Sequence, residues 1–594
     1  MDDRISFYRQ RVAALKDQHS ELNNKLREIS RLRLIFFLLA VASIAGGIWF
    51  SGYLFWIMII FVILFGRQVT RYSAAFNEAA VAERIVALNE DELAFMEGDK
   101  SRFPQGDMQL VSDHIYAIDL DIFGKGSLFQ AIDRTGTWEG RGLVMDTLLQ
   151  LPKDISVIEK RKETLAELAE DVDWRQRFNV VGKMADETPA DMPAVRRWVL
   201  QEDFFASRGW WIWLARVISG ISVAFIGWMF IVQEFYFMYF FGWLIVNQGI
   251  RGLLDKDMKT YFNLFGLRTK LFGKFSDLFL LVSKKEFKSS LGKAHFNNVT
   301  EAANAFMELS ALANRAEQRL NGLVGPLMNG LFLYDIWNIH AIERWRAVHG
   351  GKVDAWIVAL ANVDMLNSLA NYRFNHPAFV DATVVQGSSF VRATAMGHPL
   401  MPFNESVKND YELGVTSRAH IVTGSNMAGK STFIRSVGLN IILALNGMPV
   451  CAKSFSCTAV SIASCIRITD SLEEHASYFR AELIRLEHIV DLLKSGEQYI
   501  VLLDEILRGT NSDDKRMGTL AFFKKLKDYN CIAILATHDL VIGKLEEQFP
   551  QHYANYCFES ELRGSSLHFD YKLRKGVSSS TNATFLMKSL GLID

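Results

Sequence analysis

Cysteine is scarce in this chain, and its charges are balanced. The 594 residues include five cysteines, all at or beyond Cys451, and no C-x-x-C pair. This pattern excludes a disulfide or zinc framework and indicates reduced thiols in a cytosolic domain. The formal net charge is −1, so the overall charge does not favour a polyanionic partner. A local basic face is still compatible with this value. The length predicts several domains.

Apolar residues, in contrast, make up 50% of the chain, and two long runs concentrate them. The first run, Leu34–Phe65, carries no charge. As one helix it would extend about 48 Å, well beyond the ~30 Å hydrocarbon core of a bilayer. Gly46, Gly47 and Gly52 offer a break, and no small-residue cleavage site marks a signal peptide. We therefore predict a transmembrane helical hairpin over residues 34–66.

The second run, Trp210–Val246, is interrupted at Gln233–Glu234 and is dense in tryptophan and tyrosine, as segments at membrane interfaces are. We predict a second transmembrane hairpin over residues 208–250, with a buried pair of core helices as the alternative. Basic residues flank the outer ends of both runs: Arg31, Arg33, Arg67, Arg71, Arg208, Arg251 and Lys256. Since the central turns have none, this bias predicts an integral protein of the inner (cytoplasmic) membrane with its soluble domains in the cytosol.

The segments around these runs are patterned as helices. Residues 1–33 have apolar residues at three- and four-residue steps from Ile5 to Ile29, which predicts a heptad helix. That helix either self-associates or packs on the helix that follows the first hairpin. Residues 67–207 and 251–388 are amphipathic with few helix breakers. We expect them to form the two parts of an all-α helical core domain, the second part being a lever region.

The C-terminal part, residues 389–594, is centred on Ile421–Thr432, I-V-T-G-S-N-M-A-G-K-S-T. Its spacing G-x-x-x-x-G-K-[ST] lies between an apolar strand and a helical pattern, which is the context that a phosphate-binding P-loop requires. Backbone N–H groups there would bind phosphate oxygens of ATP, while Lys430 reaches the β- and γ-phosphates and Ser431 ligates Mg²⁺. The predicted nucleotide contacts in the loop are Gly424, Ser425, Asn426, Met427, Ala428, Gly429, Lys430, Ser431 and Thr432.

Strands and helices alternate after the P-loop, which predicts an α/β sheet with helices on both faces. The apolar strand Tyr499–Leu503 is followed by Asp504 and Glu505, as in a Walker B strand. Asp504 would hold the Mg²⁺, and Glu505 would polarise the attacking water. Another apolar strand leads to His538, at the sheet edge where ligands of such folds bind and where it would sense the γ-phosphate or hold the water. We predict Lys430, Glu505 and His538 as catalytic residues.

Together these residues resemble the MutS family of DNA mismatch-repair ATPases. Thr423–Thr432 is similar to that family's P-loop, and Asp504–Asn511 (D-E-I-L-R-G-T-N) is similar to its Walker B strand and following loop. Ala536–His538 is similar to its switch histidine, and Gly126–Leu143 resembles the opening of its helical core domain. A match to its S-x-F-x-x-E element lies at Ser477, Phe479 and Glu482.

The resemblance implies a homodimer whose ATPase domains close over two nucleotides, with the Ser477 loop of one subunit reaching the nucleotide of the other. It also implies DNA as a partner. The sequence departs from the family pattern at Ser425, where the family has proline, and at Ala428, Leu507 and Lys515, where it has glycine. The heptad helix and first hairpin stand where we would expect a mismatch-reading domain.

We therefore expect a membrane-anchored MutS-like ATPase that binds ATP, Mg²⁺ and membrane lipid. Hydrolysis in the dimer would move helical arms, in DNA mismatch repair or in sensing branched or damaged DNA. One alternative is an ABC-like transporter, although the apolar runs contain almost no polar residues that could line a path. Another is an ATP-switched membrane scaffold without mismatch recognition.

Overall fold

A computed structural model describes residues 2–50, 53–205, 209–232, 237–254, 256, 258, 261, 268–296, 299–425, 427–467, 478–563 and 566–578. The helices in these ranges, numbered α1 to α18 in chain order, are Asp2–Trp49, Leu54–Met96, Leu128–Ile132, Trp138–Leu149, Ile155–Glu170, Val172–Gly182, Asp191–Val199, Trp210–Val232, Phe237–Gly252, Thr269–Ser283, Ser290–Phe296, Val299–Gln318, Val324–Phe332, Tyr334–Asn375, Lys430–Leu445, Tyr478–Leu493, Ser512–Lys525 and Lys544–Gln548. The strands, β1 to β10, are Thr383–Val385, Val391–Met396, Asn409–Leu413, Ala419–Thr423, Ser454–Thr458, Ser461–Cys465, Tyr499–Asp504, Cys531–Thr537, Tyr553–Arg563 and Ser566–Lys575.

The prediction of a helical N-terminal region followed by a C-terminal α/β domain is confirmed, but contacts group the chain differently from the predicted domains. One compact unit comprises residues 1–134, 144–172 and 366–594, and the other comprises residues 135–143 and 173–365. The predicted core segment 67–207 is thus shared between the two units. The physical reason is that α2 pairs with α1, and α5 packs beside the α/β domain, where Arg161 donates to the Asn446 side chain at 2.7 Å.

The first hairpin consists of two antiparallel helices, α1 and α2, that are much longer than its apolar part. The break lies between Trp49 and Leu54, as predicted from the glycines, and a Cβ at Gly46 would lie 2.7 Å from a Leu54 methyl group. The heptad segment is continuous with the apolar run and packs along α2, since Lys16 pairs with Glu90 at 2.7 Å. Of the two interpretations of that segment, packing within the chain is therefore observed.

A buried polar network joins the base of this hairpin to the rest of its unit. Glu92 of α2 forms an ion pair with Arg134 at 2.5 Å, and the two side chains are 2% and 4% exposed. The same carboxylate accepts hydrogen bonds from Asn371 at 2.8 Å and Asn375 at 3.2 Å in α14. Tyr8 of α1, which is fully buried, donates its hydroxyl to the Asn375 side-chain oxygen Oδ1 at 2.8 Å. Both hairpin helices are thus fixed to α14.

The six-stranded sheet has the order β10-β9-β4-β8-β7-β6, and only β10 is antiparallel to its neighbour. Every residue of β4, β7 and β8 is buried, because helices cover both faces of a parallel sheet. Thr423 at the end of β4 pairs with Thr537, and Asp504 at the end of β7 pairs with Ala536. The segments after β4, β7 and β8 therefore leave the sheet at one edge. A smaller sheet, β1-β5-β2-β3, precedes it and begins within residues 251–388.

The segment before α3 covers the β6 edge of the large sheet. The Ser464 N–H donates to the Ile115 carbonyl at 3.1 Å, as a neighbouring strand would accept it. The buried Asp119 carboxylate accepts from the Ser464 hydroxyl at 2.7 Å and from the N–H groups of Ile466 and Arg467 at 3.1 and 2.8 Å. Because an open edge invites pairing with other chains, this segment protects the α/β domain.

The second unit is helical. One buried carboxylate holds the backbone directly before α4. Asp364 in α14 accepts hydrogen bonds from the N–H groups of Gly136 and Thr137 and from the Thr137 hydroxyl, all at 3.0 Å or less. A Cβ at Gly140 would lie within 3 Å of the Asp364 side chain. Gly136 and Gly140 therefore have a packing reason in this unit, because a Cβ at Gly136 would lie 2.8 Å from the Asn179 carbonyl oxygen.

By length and composition alone, four helices could cross a membrane: parts of α1, α2, α8 and α14. The apolar window of each is 11%, 6%, 22% and 72% buried, respectively. The α14 window is therefore a core element, whereas the apolar residues of the other three helices are largely uncovered. The turn predicted at Gln233–Glu234 lies outside the described residues.

We predict that Glu92→Ala destabilises the protein by about 3–5 kcal/mol, because it leaves the Arg134 guanidinium buried without its counter-charge. Urea unfolding in a mild detergent would measure the change. Glu90→Ala, two residues away and in an exposed pair with Lys16, is the matched control and should cost at most about 1 kcal/mol. Equal losses for both variants would contradict the role given to the buried network.

Candidate active site

Two glycines shape the loop between β4 and α15. Gly424 has a φ of +153° and Gly429 has a φ of +98°, values that side chains with a Cβ rarely adopt. A Cβ at Gly424 would lie 2.8 Å from the Phe558 carbonyl oxygen, and one at Gly429 would lie 2.9 Å from the Tyr571 ring. Gly429 is the N-cap of α15, so the loop presents the N–H groups of a helix N-terminus to the cavity.

The Lys430 ammonium is held inside this loop. Its Nζ donates to the carbonyl oxygens of Gly424 at 2.7 Å and Ser425 at 2.8 Å, and the side chain is almost fully buried. Burial lowers the pKa of Lys430, against the opposing influence of the Glu505 and Asp504 carboxylates. The structure therefore places one cation where the P-loop would receive phosphate oxygens, and the phosphates would also relieve its desolvation.

Asp504 and Ser431 face each other across the end of β7. Burial raises the pKa of Asp504, although a hydrogen bond with the Ser431 hydroxyl and the charge of Arg508 act in the opposite direction. A hydroxyl and a carboxylate are oxygen donors of the kind that Mg²⁺ prefers. Within the described residues there is no cluster of three or more His, Cys, Asp or Glu side chains that could hold a metal. The pair thus fits an ion that completes its shell with water and nucleotide phosphates, with Ser431 and Asp504 as its protein ligands.

Glu505 and His538 form the second pair at this edge. The His538 Nδ1 lies 3.2 Å from a Glu505 carboxylate oxygen. Burial alone would raise the pKa of Glu505, but the interaction with His538 and the positive charges of Arg508 and Lys430 together lower it. Glu505 is therefore ionised at neutral pH, which suits a group that takes a proton from water.

The loop after Glu505 departs from ordinary backbone geometry and is held by another helix. Glu505 has a φ of +48° and Leu507 a φ of +62°, in the left-handed region that favours glycine. The buried Glu482 carboxylate of α16 accepts from the N–H groups of Leu507 at 2.5 Å and Arg508 at 3.0 Å. Leu507 stands where the family pattern that the sequence resembles has glycine. These bonds, together with the burial of its side chain, offset the strain. Burial also raises the pKa of Glu482.

A cavity of about 620 Å³ is lined by most of the P-loop and by the Walker B carboxylates; Gly424, Ser425 and His538 are not among its lining residues. Besides the predicted residues Met427, Ala428, Gly429, Lys430, Ser431, Thr432, Asp504 and Glu505, it is lined by Met396, His398, Met401, Glu405, Ser406, Val407, Asn409, Phe433, Ser436, Arg508, Phe558 and Tyr571. Its volume is in the range of small-molecule sites. The structure thus brings the P-loop, the Walker B carboxylates and a set of upstream side chains around one space.

Several lining residues had no predicted role. Asn409 clamps the bulged β10, since its Nδ2 donates to the Tyr571 carbonyl at 3.0 Å and its Oδ1 accepts from the Leu573 N–H at 2.9 Å. Burial lowers the pKa of His398 to about 4, so this ring is neutral. His398 and Asn409 precede the P-loop in sequence, and only the fold brings them to the cavity.

The remaining predicted site residues have different positions. Asn426 and Ser477 lie outside the described residues. Met427 is 82% exposed with a φ of +69°, so an apolar side chain stands uncovered at the cavity. The Ser425 hydroxyl is buried and has no hydrogen-bond partner among the described residues. Ala428 is buried, and its φ is not positive. The backbone at this position therefore does not require glycine.

Comparisons with known proteins agree with this geometry. Residues 420–588 match the family model of MutS domain V, a P-loop ATPase domain, so the chain carries an ATPase domain of this type. The chain is 32% identical over 243 residues to the DNA mismatch repair protein MutS of Thermotoga petrophila, covering 40% of this chain and 29% of that protein. It is 25% identical over 327 residues to the endonuclease MutS2 of Bacillus velezensis, covering 53% of this chain and 39% of that protein. The chain therefore spans well under half the length of these relatives.

We predict that Glu482→Gln lowers kcat with little change in nucleotide affinity. The Leu507 and Arg508 N–H groups bond to different oxygens of Glu482, and an amide keeps only one of these acceptors, so the loop that carries Glu505 loses one of its two supports. Single-turnover ATP hydrolysis and fluorescent-nucleotide titration would separate the two effects. Glu487→Gln, exposed on the same helix, is the control and should leave both unchanged. A Glu482→Gln variant with normal kcat would show that the loop keeps its geometry without this carboxylate.

Proposed function

We propose that the protein is a membrane-anchored MutS-like ATPase in which ATP binding and hydrolysis at the composite sites of a homodimer drive movement of helical arms. The observation that carries the proposal is the convergence of Lys430, the Ser431–Asp504 pair and the Glu505–His538 pair at one sheet edge. ATP would lie on the P-loop with its Mg²⁺ between Ser431 and Asp504. His538 orients Glu505, and Glu505 takes the proton from the attacking water.

Exposed apolar surface supports the membrane anchor. On α1 the residues Leu34, Ile48 and Trp49 are 58%, 67% and 81% exposed, and on α2 Trp56 and Ile63 are 70% and 65% exposed. This surface surrounds the turn of the hairpin, while its base is charged and packs on α14. The apolar part of α1, Leu34–Trp49, is about 24 Å long, so the hairpin enters a bilayer and returns to the same side. The inner membrane, with the soluble parts in the cytosol, is the location this arrangement favours.

The dimer has a separate support. Met427 leaves an uncovered apolar side chain beside the phosphate-binding loop, and such a residue fits a site that a second subunit closes. Ser477 would reach across to the nucleotide of that subunit. Size measurement in detergent, with and without Mg-ATP, should show dimers that accumulate in Glu505→Gln, since that variant would retain its nucleotide.

DNA is proposed as the partner from the relatives' names, DNA mismatch repair protein and endonuclease. Because the charges of the whole chain are balanced, DNA would have to bind at a local basic face. Binding to homoduplex, mismatched and branched DNA across a salt series would test this part, because phosphate contacts weaken steeply with salt. Indifference to all three substrates would leave an ATP-switched membrane scaffold.

We predict that Glu505→Gln lowers ATP turnover by about 10²–10⁴-fold while nucleotide still binds, since the general base is lost and the phosphate contacts remain. Lys430→Ala should abolish both turnover and binding. Lys525→Ala, an exposed lysine of α17, is the control and should behave as wild type. The measurement is phosphate release by the full chain in detergent with Mg²⁺. Wild-type turnover no higher than that of the two site variants would overturn the ATPase proposal.

A further inference from the structure

The short helix α13 and the turn before it are apolar on their exposed side. The segment Leu320–Leu333 contains no charged residue. Leu320, Leu323 and Leu327 are 72%, 83% and 44% exposed. A helix on a water-facing surface would carry polar residues there. The sequence pattern placed this segment in an amphipathic lever region, and the structure shows instead an uncovered apolar face.

This segment packs on both helices of the second predicted hairpin, α8 and α9. At Gly330 a Cβ would lie 2.7 Å from the Leu244 side chain and 3.3 Å from its Cα, so the backbones of α13 and α9 approach closely. Close approach through a small residue is typical of helix pairs within membranes. The exposed residues of α13 therefore continue the apolar surface of the hairpin.

The polar residues of that hairpin are used to satisfy the C-terminal end of α13. The Ser222 hydroxyl donates to the Leu331 carbonyl at 2.5 Å, Ser219 donates to Phe332 at 3.2 Å, and the Asn247 amide donates to Gly330 at 2.6 Å. The last carbonyls of a helix have no partner within it. Water would serve them at a protein surface, but at membrane depth only neighbouring side chains can do so.

Charged residues flank the segment at both of its ends. Arg319, just before it, lies 3.9 Å from Asp335, just after it, and Arg251 at the end of α9 pairs with the same carboxylate at 2.7 Å. Both ends of the segment thus meet at one charged cluster. The nine residues of α13 extend about 14 Å, less than half of the ~30 Å hydrocarbon core, so the segment cannot span it.

We infer that Leu320–Leu333 is a re-entrant element that enters the bilayer beside the second hairpin, places Leu323 and Leu327 against lipid acyl chains, and returns to the same side. This inference rests on the proposed membrane anchor. A lipid surface is favoured over a protein partner because the apolar face is continuous with the exposed faces of α8 and α9 and ends at the charged cluster.

Spin labels on single added cysteines would test the inference with the full chain in lipid vesicles. Leu323→Cys and Leu327→Cys report on the segment, Val223→Cys on α8 reports on the hairpin, and Met307→Cys on α12 is a water-exposed control; the wild-type residues at Val223 and Met307 are 61% and 56% exposed. The five native cysteines are all buried, and unsubstituted protein gives the background. Collision rates with oxygen, which concentrates in lipid, and with a water-soluble nickel chelate are compared.

We expect the ratio of oxygen to nickel collisions at 323 and 327 to resemble that at 223 and to exceed that at 307 several-fold. A high nickel rate at 323 and 327 with a high oxygen rate at 223 would overturn the re-entrant element and leave the anchor. Low rates with both reagents at 323 and 327 would indicate cover by protein and would also overturn it. A high nickel rate at 223 as well would overturn the membrane anchor itself.

Discussion

The parallel pairing of β4, β8 and β7 is the constraint on which the candidate site depends. Parallel neighbours in register place their carboxyl ends at the same edge, here with Thr423 beside Thr537 and Asp504 beside Ala536. The P-loop and the acidic pair follow β4 and β7 directly and line one cavity, and His538, which follows β8, contacts Glu505 beside it. Most side chains of these strands are apolar, so helices can cover both faces of the sheet.

The site is held in shape by contacts that come from outside these strands. The left-handed backbone at Glu505 and Leu507 costs about 1–2 kcal/mol per residue, and Glu482 offsets that cost by accepting the N–H groups of the loop. The same geometry turns the Glu505 carboxylate toward His538. At Gly509, a Cβ would lie 2.7 Å from the Phe479 Cβ, so the S-x-F-x-x-E element also packs on this loop. Two of the motif's residues therefore act as supports of the acidic pair.

Polar groups are satisfied differently in the two apolar regions. The α1–α2 hairpin has few polar residues near its turn, and its charged base is fixed by Glu92, Arg134 and two asparagines of α14. Helices α8 and α9 have buried serine and asparagine side chains, and these bond to carbonyls of α13. The first hairpin is thus fixed at its base by α14, whereas α8 and α9 supply the hydrogen bonds that the C-terminal end of α13 cannot make within its own helix.

Local sequence patterns were enough to predict most strands and helices and much of the site. Continuous apolar runs predicted β4, β7 and β8, the glycine spacing predicted the loop that holds Lys430, and the glycines near residue 50 predicted the break of the first hairpin. These features depend on local sterics and local burial, which a short stretch of sequence carries. Other features required the folded chain: the heptad helix packs on α2, Asp119 bonds to the sheet edge, Asn409 and Tyr571 reach the cavity, and α13 packs on α8 and α9. Each of these depends on which distant segment becomes a neighbour, and a side chain carries no local signal of the partner it will meet.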